Sequence, residues 1–254
     1  MELTVTTFLI VCPLVFLGAF VDAIAGGGGL ITLPAYLIAG VPPHYAVATN
    51  KLSSAGGTIF STARFCKNGY ADFHLAVPGI LAALLGSSLG AHIALRVDDQ
   101  VFKIMLVILL PVIAFYVLTK KDLEPSQEKT ISRKMQYVIV TLASFVIGMY
   151  DGFYGPGTGT FLILVYTSLA KMDVLTSAGN TKLVNLTSNI SALVVFLMNG
   201  VVILPLGLAA VVFSIAGHYL GAGMAMKNGG KFIRVIILAV IAMLFIKTIM
   251  EAIG

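Results

Sequence analysis

Charged residues are scarce in this chain and make up 11% of its 254 residues, whereas soluble domains carry about 25%. Hydrophobic residues make up 58% of the chain, and the mean hydropathy is +1.00. This composition excludes an ordinary soluble domain and predicts an integral membrane protein. Cysteine is also scarce, since Cys12 and Cys66 stand alone in apolar surroundings. Their isolation excludes a disulfide framework and a cysteine-rich metal cluster.

Several functional classes lack the residue patterns that they require. The histidines, which are His44, His74, His92 and His218, share no metal-ligand spacing with a cysteine or an acidic residue. We therefore expect packed or solvated histidines, and no metal or other cofactor. The sequence offers no nucleophile with a base, so an enzyme is not expected. No aromatic-interleaved basic patch accompanies the net charge of +5, so nucleic acid is not an expected partner.

Ten apolar segments follow one another along the chain, and most reach the ~20 residues that a membrane-spanning helix needs. The first segment has no basic start and runs on without a break, so we expect a retained helix instead of a signal peptide. Two of the segments, 30–41 and 159–170, are too short to span. The ten segments are 3–24, 30–41, 46–65, 73–95, 100–118, 135–150, 159–170, 178–198, 201–222 and 231–252.

The chain contains an internal duplication. A shift of 129 residues aligns DAIAGGGG at 22–29 with DGFYGPGT at 151–158, and a shift of 131 residues aligns Lys51 with Lys182. Between the copies lies the hydrophilic stretch 119–134, which we interpret as a linker. The expected division is a first membrane repeat at 1–118, the linker at 119–134 and a second membrane repeat at 135–254.

The basic residues predict opposite orientations of the two repeats. If each repeat crosses the membrane an odd number of times, most lysines and arginines collect on one face, and only Arg96, Lys103 and Lys247 remain on the other. The excess of basic residues on the cytoplasmic side of membrane proteins favours this count. The predicted fold is an all-α membrane protein with two inverted repeats of about five helical segments each. The linker is then cytoplasmic, and both termini are periplasmic or extracellular.

Glycine runs interrupt the membrane segments at corresponding places in the two repeats. Glycine is the poorest ordinary helix former, and non-helical backbone in a membrane must be buried in protein or line a wet cavity. The short segments that follow predict half-helices or re-entrant hairpins whose N-termini converge on an anion near the middle of the bilayer. Tight helix packing is the alternative explanation of the glycines. The candidate substrate-binding residues here are Gly27, Gly28, Gly29, Gly157, Thr158 and Gly159.

A second motif places polar residues along two helices, in ATNKLSSAGG at 48–57 and GNTKLVNLTSN at 179–189. Each resulting polar stripe carries a lysine inside the membrane, where a charge is costly and marks a pathway or a partner. The lysines either supply positive potential to an anion route, reach the membrane surface, or pair with Asp22 and Asp151. The aspartates are accordingly lysine partners, helix caps or proton carriers. The candidate substrate-binding residues in this motif are Thr49, Asn50, Lys51, Asn180, Thr181, Lys182 and Asn185.

The order of these motifs resembles the sulfite exporter TauE/SafE family, also called the 4-toluene sulfonate uptake permease family, and its bacterial branch of probable membrane transporters. The resemblance rests on DAIAGGGGLITLP, ATNKLSSAGG, YDGFYGPGTGTF and NTKLVNLTSN and covers nearly the whole chain. It implies a carrier of the bacterial inner membrane that moves sulfite, a sulfonate or a related organic anion with a proton gradient. The family's motifs map onto Gly26–Gly29, Gly155–Gly159, Thr49–Lys51 and Asn180–Lys182. Pro156 stands where the first copy has Gly27, which predicts unequal half-sites.

The expected function is secondary transport of a small anion by alternating access, and the resemblance adds coupling to protons. Two alternatives stay open, namely an anion channel built from the same half-helices and a cation carrier in which Asp22 and Asp151 bind the cargo. The expected partners are the anionic substrate and the lipid bilayer. A homodimer is a further open alternative.

Overall fold

The computed structural model of the chain describes residues 3–98, 100 and 131–253. Within these residues the chain forms eight helices and no strand, which confirms the all-α expectation. The expected segment 100–118 and most of the expected linker lie outside the described residues. The helices are α1 (Val5–Ala25), α2 (Gly29–Ile38), α3 (Pro43–Lys67), α4 (Phe73–Ala94), α5 (Arg133–Phe153), α6 (Thr158–Ser168), α7 (Val174–Met198) and α8 (Leu204–Ile253).

Side-chain caps determine where several of the helices begin. The hydroxyls of Thr4 and Ser132 accept backbone amide hydrogens in the first turns of α1 and α5. The carboxylates of Asp72 and Asp173 do the same for α4 and α7. Such caps satisfy amides that a helix start leaves unpaired, and each is typically worth ~1 kcal/mol. Because Ser132 caps α5, this helix begins at Arg133, ahead of the expected start at residue 135.

Five of the described helices are long and apolar enough to cross a membrane, namely α1, α4, α5, α7 and the first part of α8, Leu204–Ile233. α3 is as long as α7, with 25 residues, but its polar stripe keeps it out of this group. α2 and α6 have only 10 and 11 residues, which at ~1.5 Å each covers about half of the hydrocarbon core. The chain is therefore a multi-pass membrane protein.

α8 differs from the expectation. The sequence predicts separate segments at 201–222 and 231–252, but the structure joins them in one helical run from Leu204 to Ile253. The run is interrupted at a single residue, Gly229, where φ is 72° and ψ is −170°. Glycine adopts positive φ without a steric penalty, so one residue is enough to redirect the helix and no loop is needed.

The closest helix packing runs between the two halves of the chain, because α4 packs against α5 and α1 packs against α8. At the first of these contacts, Gly86 and Gly90 of α4 lie on the backbone of Phe145 and Met149. Any larger side chain would overlap that backbone. Small residues allow this close approach of helices in a membrane.

The contact between α8 and α1 repeats this geometry. Gly217 and Gly221 of α8 lie on the backbone of Phe16 and Phe20 of α1. The same shifts of 131 and 129 residues that align the two sequence copies carry one contact onto the other. The halves are thus interlocked by matched contacts, and α3 and α7 lie against each other between them.

Candidate functional site

The two glycine runs lie against each other inside the molecule. Gly26 ends α1 with a φ of 78°, and a Cβ on Gly159 would lie 2.5 Å from the Gly26 Cα. The hydroxyl of Thr160, in the first turn of α6, donates to the last carbonyl of α1 at 2.7 Å. A Cβ on Gly29, at the start of α2, would lie 2.9 Å from the Cα of Pro156. Because only glycine permits these approaches, the N-termini of α2 and α6 are held side by side.

A buried ion pair joins Asp151, near the end of α5, to Lys51 of α3. The Lys51 Nζ lies 2.8 Å from the Asp151 Oδ2, and the two side chains are 2% and 4% exposed. The Asp151 Oδ1 accepts a hydrogen bond of 2.9 Å from the hydroxyl of Thr158, the first residue of α6. The hydroxyl of Ser188, on α7, donates to the Oδ2. The carboxylate therefore receives donors from three different helices.

The equivalent pair joins Asp22, near the end of α1, to Lys182 of α7. The Lys182 Nζ lies 3.4 Å from the Asp22 Oδ2, the lysine side chain is fully buried, and the aspartate side chain is 16% exposed. The ammonium also donates to the main-chain carbonyl of Asp22. The Asp22 Oδ1 accepts a hydrogen bond of 3.2 Å from the amide of Gly28, the N-cap residue of α2. Each lysine is thus paired with the aspartate of the opposite half.

These pairs decide between the roles that the sequence leaves open for the lysines and aspartates. Neither lysine reaches the membrane surface, because both are buried against a carboxylate. Both aspartates are lysine partners, and Asp22 also binds the amide at a helix start. Removing one partner of a buried pair leaves an uncompensated charge and costs about 3–5 kcal/mol. The pairs therefore tie the two halves together.

A central cavity of about 20 Å³ is lined by members of both ion pairs. This volume is enough for about one water molecule. The predicted site residues that line it are Asp22, Gly29, Asn50, Lys51, Asp151, Thr158 and Asn185. It is also lined by Gly26, Gly155, Ser54 and Asn189. The last two follow Asn50 and Asn185 by one helical turn, so helical spacing is the signal that identifies them.

Buried polar atoms of α3 and α7 are left without a hydrogen-bond partner. They include the Asn50 Oδ1, the Thr58 Oγ1 and the Thr181 Oγ1. An unpaired buried polar group costs about 1–3 kcal/mol, so these atoms favour a polar ligand. Asn50 and Thr181 occupy equivalent positions in the two copies, and Asn50 lines the central cavity.

Two of the predicted residues, Thr49 and Asn180, make their hydrogen bonds outside the central cavity. The Thr49 Oγ1 accepts a hydrogen bond of 3.0 Å from the amide of Ile203, just before α8. The Asn180 side chain bonds both the amide and the carbonyl of Asp72, at 2.8 and 3.3 Å, just before α4. Equivalent residues therefore hold equivalent turns of the two halves.

The remaining glycine candidates belong to the backbone of the two breaks. The carbonyls of Gly27 and Gly28 accept the first hydrogen bonds of α2. Gly157 is the N-cap residue of α6, with a φ of 84°. Gly28 also packs beside Asp22, because a Cβ there would lie 2.6 Å from the Asp22 Cβ. These residues shape the two helix starts that meet at the cavity.

Two residues that the sequence does not single out lie beside the aspartates. Ser188 donates to Asp151, and the His218 Nε2 lies 3.9 Å from the Asp22 Oδ2. The duplication aligns Ser188 with Gly57 and His218 with Ser87. Because neither residue has a counterpart of its own type, the repeat pattern carries no signal for them.

The geometry can be compared with known proteins. The family model described as Sulfite exporter TauE/SafE matches residues 11–248. A Sinorhizobium protein named "Probable membrane transporter protein ORF9" is 36% identical over 236 residues, which cover 93% of this chain and 90% of that protein. A "Probable membrane transporter protein" of Haemophilus influenzae is 34% identical over 237 residues, 93% of this chain and 92% of that protein. No solved structure matches the chain.

A third relative supports the same assignment. "Probable membrane transporter protein YfcA" of Escherichia coli K12 is 34% identical over 238 residues, which cover 94% of this chain and 88% of that protein. The family match includes both glycine runs and both ion pairs, and it confirms the resemblance inferred from the motifs. The relatives are membrane transporters and not enzymes. The chain is itself a membrane transporter and belongs to the sulfite exporter TauE/SafE family.

Proposed function

We propose that the protein is a secondary transporter of a small anion, namely sulfite, a sulfonate or a related organosulfur or organic anion. The observation that carries this proposal is the pair of adjoining helix starts, each of which already holds a carboxylate. Asp22 accepts the Gly28 amide at the start of α2, and Asp151 accepts the Thr158 hydroxyl at the start of α6. Helix N-termini bind such anions through free amides and the positive end of the helix dipole.

The two aspartates act as resident anions that the cargo replaces. Each carboxylate is also bound by a lysine ammonium, and a sulfite or sulfonate oxygen accepts the same charge-assisted hydrogen bonds. The unpaired side-chain groups of Asn50 and Thr181 add hydrogen-bonding capacity nearby. The donors that hold the carboxylates are therefore suited to hold a small oxyanion.

Transport on this proposal requires the halves to move against each other. The central cavity of about 20 Å³ suits about one water molecule, so it has to enlarge before it holds a sulfur oxyanion. The matched contacts of α1 with α8 and of α4 with α5 support a pseudo-twofold relation between the halves. We infer that the halves are inverted in the bilayer, that α2 and α6 enter it from opposite faces, and that alternating access separates them in turn.

Charge balance supports coupling of the anion to a proton. The two lysines and two aspartates of the ion pairs sum to no net charge. An anion bound among them adds a negative charge to a site shielded from water, where electrostatic interactions are strong. A proton that enters with the anion restores neutrality.

A cation carrier and an anion channel are the competing functions. In a cation carrier the cargo would bind Asp22 and Asp151, but each carboxylate faces a lysine whose charge repels a cation. In a channel, flux would far exceed carrier rates and need no proton. Sodium-dependent stabilisation of the protein would favour the first competitor, and fast electrogenic flux would favour the second.

Ligand-induced stabilisation of the purified protein tests the choice of cargo. The protein is heated with sulfite, sulfate, sulfoacetate, taurine or acetate, each as a sodium and as a potassium salt. A ligand that binds only the folded state stabilises it by about 2.7 kcal/mol at a hundredfold excess over Kd, so we expect a saturable rise in Tm with a sulfur oxyanion. The double variant Lys51→Met with Asp151→Asn keeps the charge balance and should lose this rise. Stabilisation by sodium alone would refute the proposal.

The proposed setting is the bacterial inner membrane, with both termini periplasmic and residues 119–134 cytoplasmic. A Ser126→Cys variant in which Cys12 and Cys66 are replaced by alanine tests this topology. A membrane-impermeant maleimide should label it only after the inner membrane is opened. Labelling in intact spheroplasts would contradict the proposed orientation.

A further inference from the structure

His218 makes the surroundings of the two ion pairs unequal. Its imidazole is 1% exposed, and its Nε2 lies 3.9 Å from the Asp22 Oδ2. Gly57 makes room for the ring, because a Cβ there would overlap it. In the other half, the equivalent of Gly57 is Ser188, whose hydroxyl donates to Asp151. One carboxylate therefore has a titratable neighbour where the other has a neutral hydroxyl.

A second cavity, also of about 20 Å³, lies beside His218 and reaches Asp22. Its polar lining residues include Asp22, Thr32, Ser53, Ser214 and His218. The equivalents of Thr32, Ser53 and Ser214 in the other half are Phe161, Val184 and Ala83, which are apolar. The volume is enough for about one water molecule. A polar route for a proton is therefore built beside Asp22 and not at the equivalent place beside Asp151.

The hydrogen bonds of His218 leave one ring nitrogen free to take a proton. The Ser61 hydroxyl donates its only hydrogen to the carbonyl of Thr58 at 3.1 Å, so it accepts from the His218 Nδ1, which lies 3.0 Å away. The neutral ring then carries its proton on Nδ1 and turns the lone pair of Nε2 toward Asp22. Two acceptors face each other there, and a proton on Nε2 converts this contact into a charge-assisted hydrogen bond.

Few charged groups in the described part of the chain face the imidazole. Asp22 approaches it from α1 and Lys182 from α7. On α3 the nearest charge in sequence is Arg64, but its guanidinium donates to the Tyr219 carbonyl at 2.6 Å and lies on the Tyr219 ring. α2 contributes Thr32, which is uncharged. His218, Asp22 and Lys182 thus form one local unit.

We propose that His218 is the proton-binding group of the transporter, which rests on the anion transport proposed above. A proton taken up on Nε2 gives an imidazolium that pairs with the Asp22 carboxylate. Lys182 then loses its counter-ion, and its ammonium is free to bind the anion. One positive charge enters with one negative charge, so loading is electroneutral, and loss of the proton restores the Lys182–Asp22 pair and expels the anion.

Flux measurements on the full chain in proteoliposomes test this coupling. Radiolabelled sulfite is the probe, and its accumulation under an imposed pH gradient is compared with sulfite exchange at equal pH. In His218→Gln the amide donates to Asp22 at any pH, so Lys182 is released without a proton. We expect gradient-driven accumulation to fall by about tenfold or more, while exchange stays close to the wild-type rate. His92→Gln is the matched control, because His92 is exposed and bonds only the Ser88 carbonyl of its own helix, at 2.7 Å.

Nitrogen NMR of histidine-labelled protein supplies a second readout that needs no cargo. We expect the His218 signals, assigned by their absence in His218→Gln, to show a protonated Nδ1 at high pH and a second proton on Nε2 as the pH falls. The Asp22→Asn variant should need a lower pH for the same protonation, since the imidazolium loses its counter-ion. A bare Nδ1 in the neutral ring would overturn the proposal.

The flux outcomes separate the two proposals. Wild-type accumulation by His218→Gln overturns the role of His218, and so does an equal loss of exchange and accumulation, which marks a purely structural role. If the wild-type protein neither exchanges nor accumulates sulfite, sulfite fails as cargo, and the NMR titration still decides whether His218 binds the proton.

Discussion

The two ion pairs consist of the same residue types at equivalent positions, but they differ in tightness. The Lys51 Nζ lies 2.8 Å from the carboxylate of Asp151, whereas the Lys182 Nζ lies 3.4 Å from that of Asp22. The side chain of Asp22 is also the more exposed of the two carboxylates. The duplication has kept the pairing between the halves and changed how strongly each pair is held.

The difference comes from the groups around the carboxylates. Asp151 receives the hydroxyls of Thr158 and Ser188, and its pair is enclosed. Asp22 receives one amide and borders both the central cavity and the cavity beside His218. One pair is thus suited to hold the halves together, and the other is suited to open.

Lys51→Met should produce the largest loss of stability. It leaves Asp151 buried with an uncompensated charge, and such losses are about 3–5 kcal/mol. Lys182→Met should cost less, because Asp22 is 16% exposed and keeps the Gly28 amide. Thermal unfolding in detergent measures both effects, and Lys51→Met with Asp151→Asn should recover most of the loss. An equal or larger loss at Lys182 would remove the distinction between the pairs.

Gly26→Ala should be the next most damaging change, and Gly40→Ala is its matched control. The two glycines have almost the same φ, 78° and 79°, but only Gly26 touches the other half. The left-handed conformation costs an alanine about 1–2 kcal/mol at either position. At Gly26 the overlap with Gly159 adds about 1–3 kcal/mol more. Equal Tm shifts for the two variants would show that the contact between the glycine runs contributes nothing.

The turns before α4 and α8 offer a smaller comparison of the halves. Asn180 makes two hydrogen bonds to Asp72, whereas Thr49 makes one to Ile203. A net hydrogen bond contributes about 0.5–1.5 kcal/mol, so Asn180→Leu should destabilise the protein more than Thr49→Val. Chemical denaturation of the two variants checks the order, and the reverse order would contradict it.

Arg133→Gln should have the smallest effect. Arg133 pairs with Asp72 at 2.6 Å, but the two side chains are 50% and 24% exposed, and such pairs are worth at most about 1 kcal/mol. Burial raises the pKa of Asp72, but the hydrogen bonds from Arg133 and the Leu75 amide outweigh it, so the pKa lies below its ordinary value. A carboxyl with a lowered folded-state pKa stabilises the fold above its unfolded-state pKa, and this contribution is lost as the pH falls through the folded-state pKa.

The stability difference between wild type and Arg133→Gln should therefore be present at neutral pH and shrink in acid. Melting curves across that pH range measure it. The equivalent of Asp72 in the second half is Ile203, which cannot titrate. A difference that grows in acid would show that the arginine acts through another group.

The positions of the helices were largely predictable, because hydrophobic length and helix caps are local properties. The short helices α2 and α6 were expected from the short apolar segments after the glycine runs. The continuity of α8 was not, because one glycine with positive φ redirects a helix without the loop that the residues around Gly229 suggest. The polar stripes were visible from spacing, but whether a stripe residue lines the cavity or holds a turn depends on its distant partners, as Thr49 and Asn50 show.

The sequence by itself determined that this is a duplicated, all-helical membrane protein, because apolar length, repeated motifs and helical spacing are written along the chain. Only the tertiary structure decided that Lys51 pairs with Asp151 and Lys182 with Asp22. Their partners lie in the opposite half of the chain, and identical residue types in both halves make every pairing equal on paper. The place of His218 beside Asp22 was decided in the same way, because the packing of α8 on α1 brings them together and no local pattern records it.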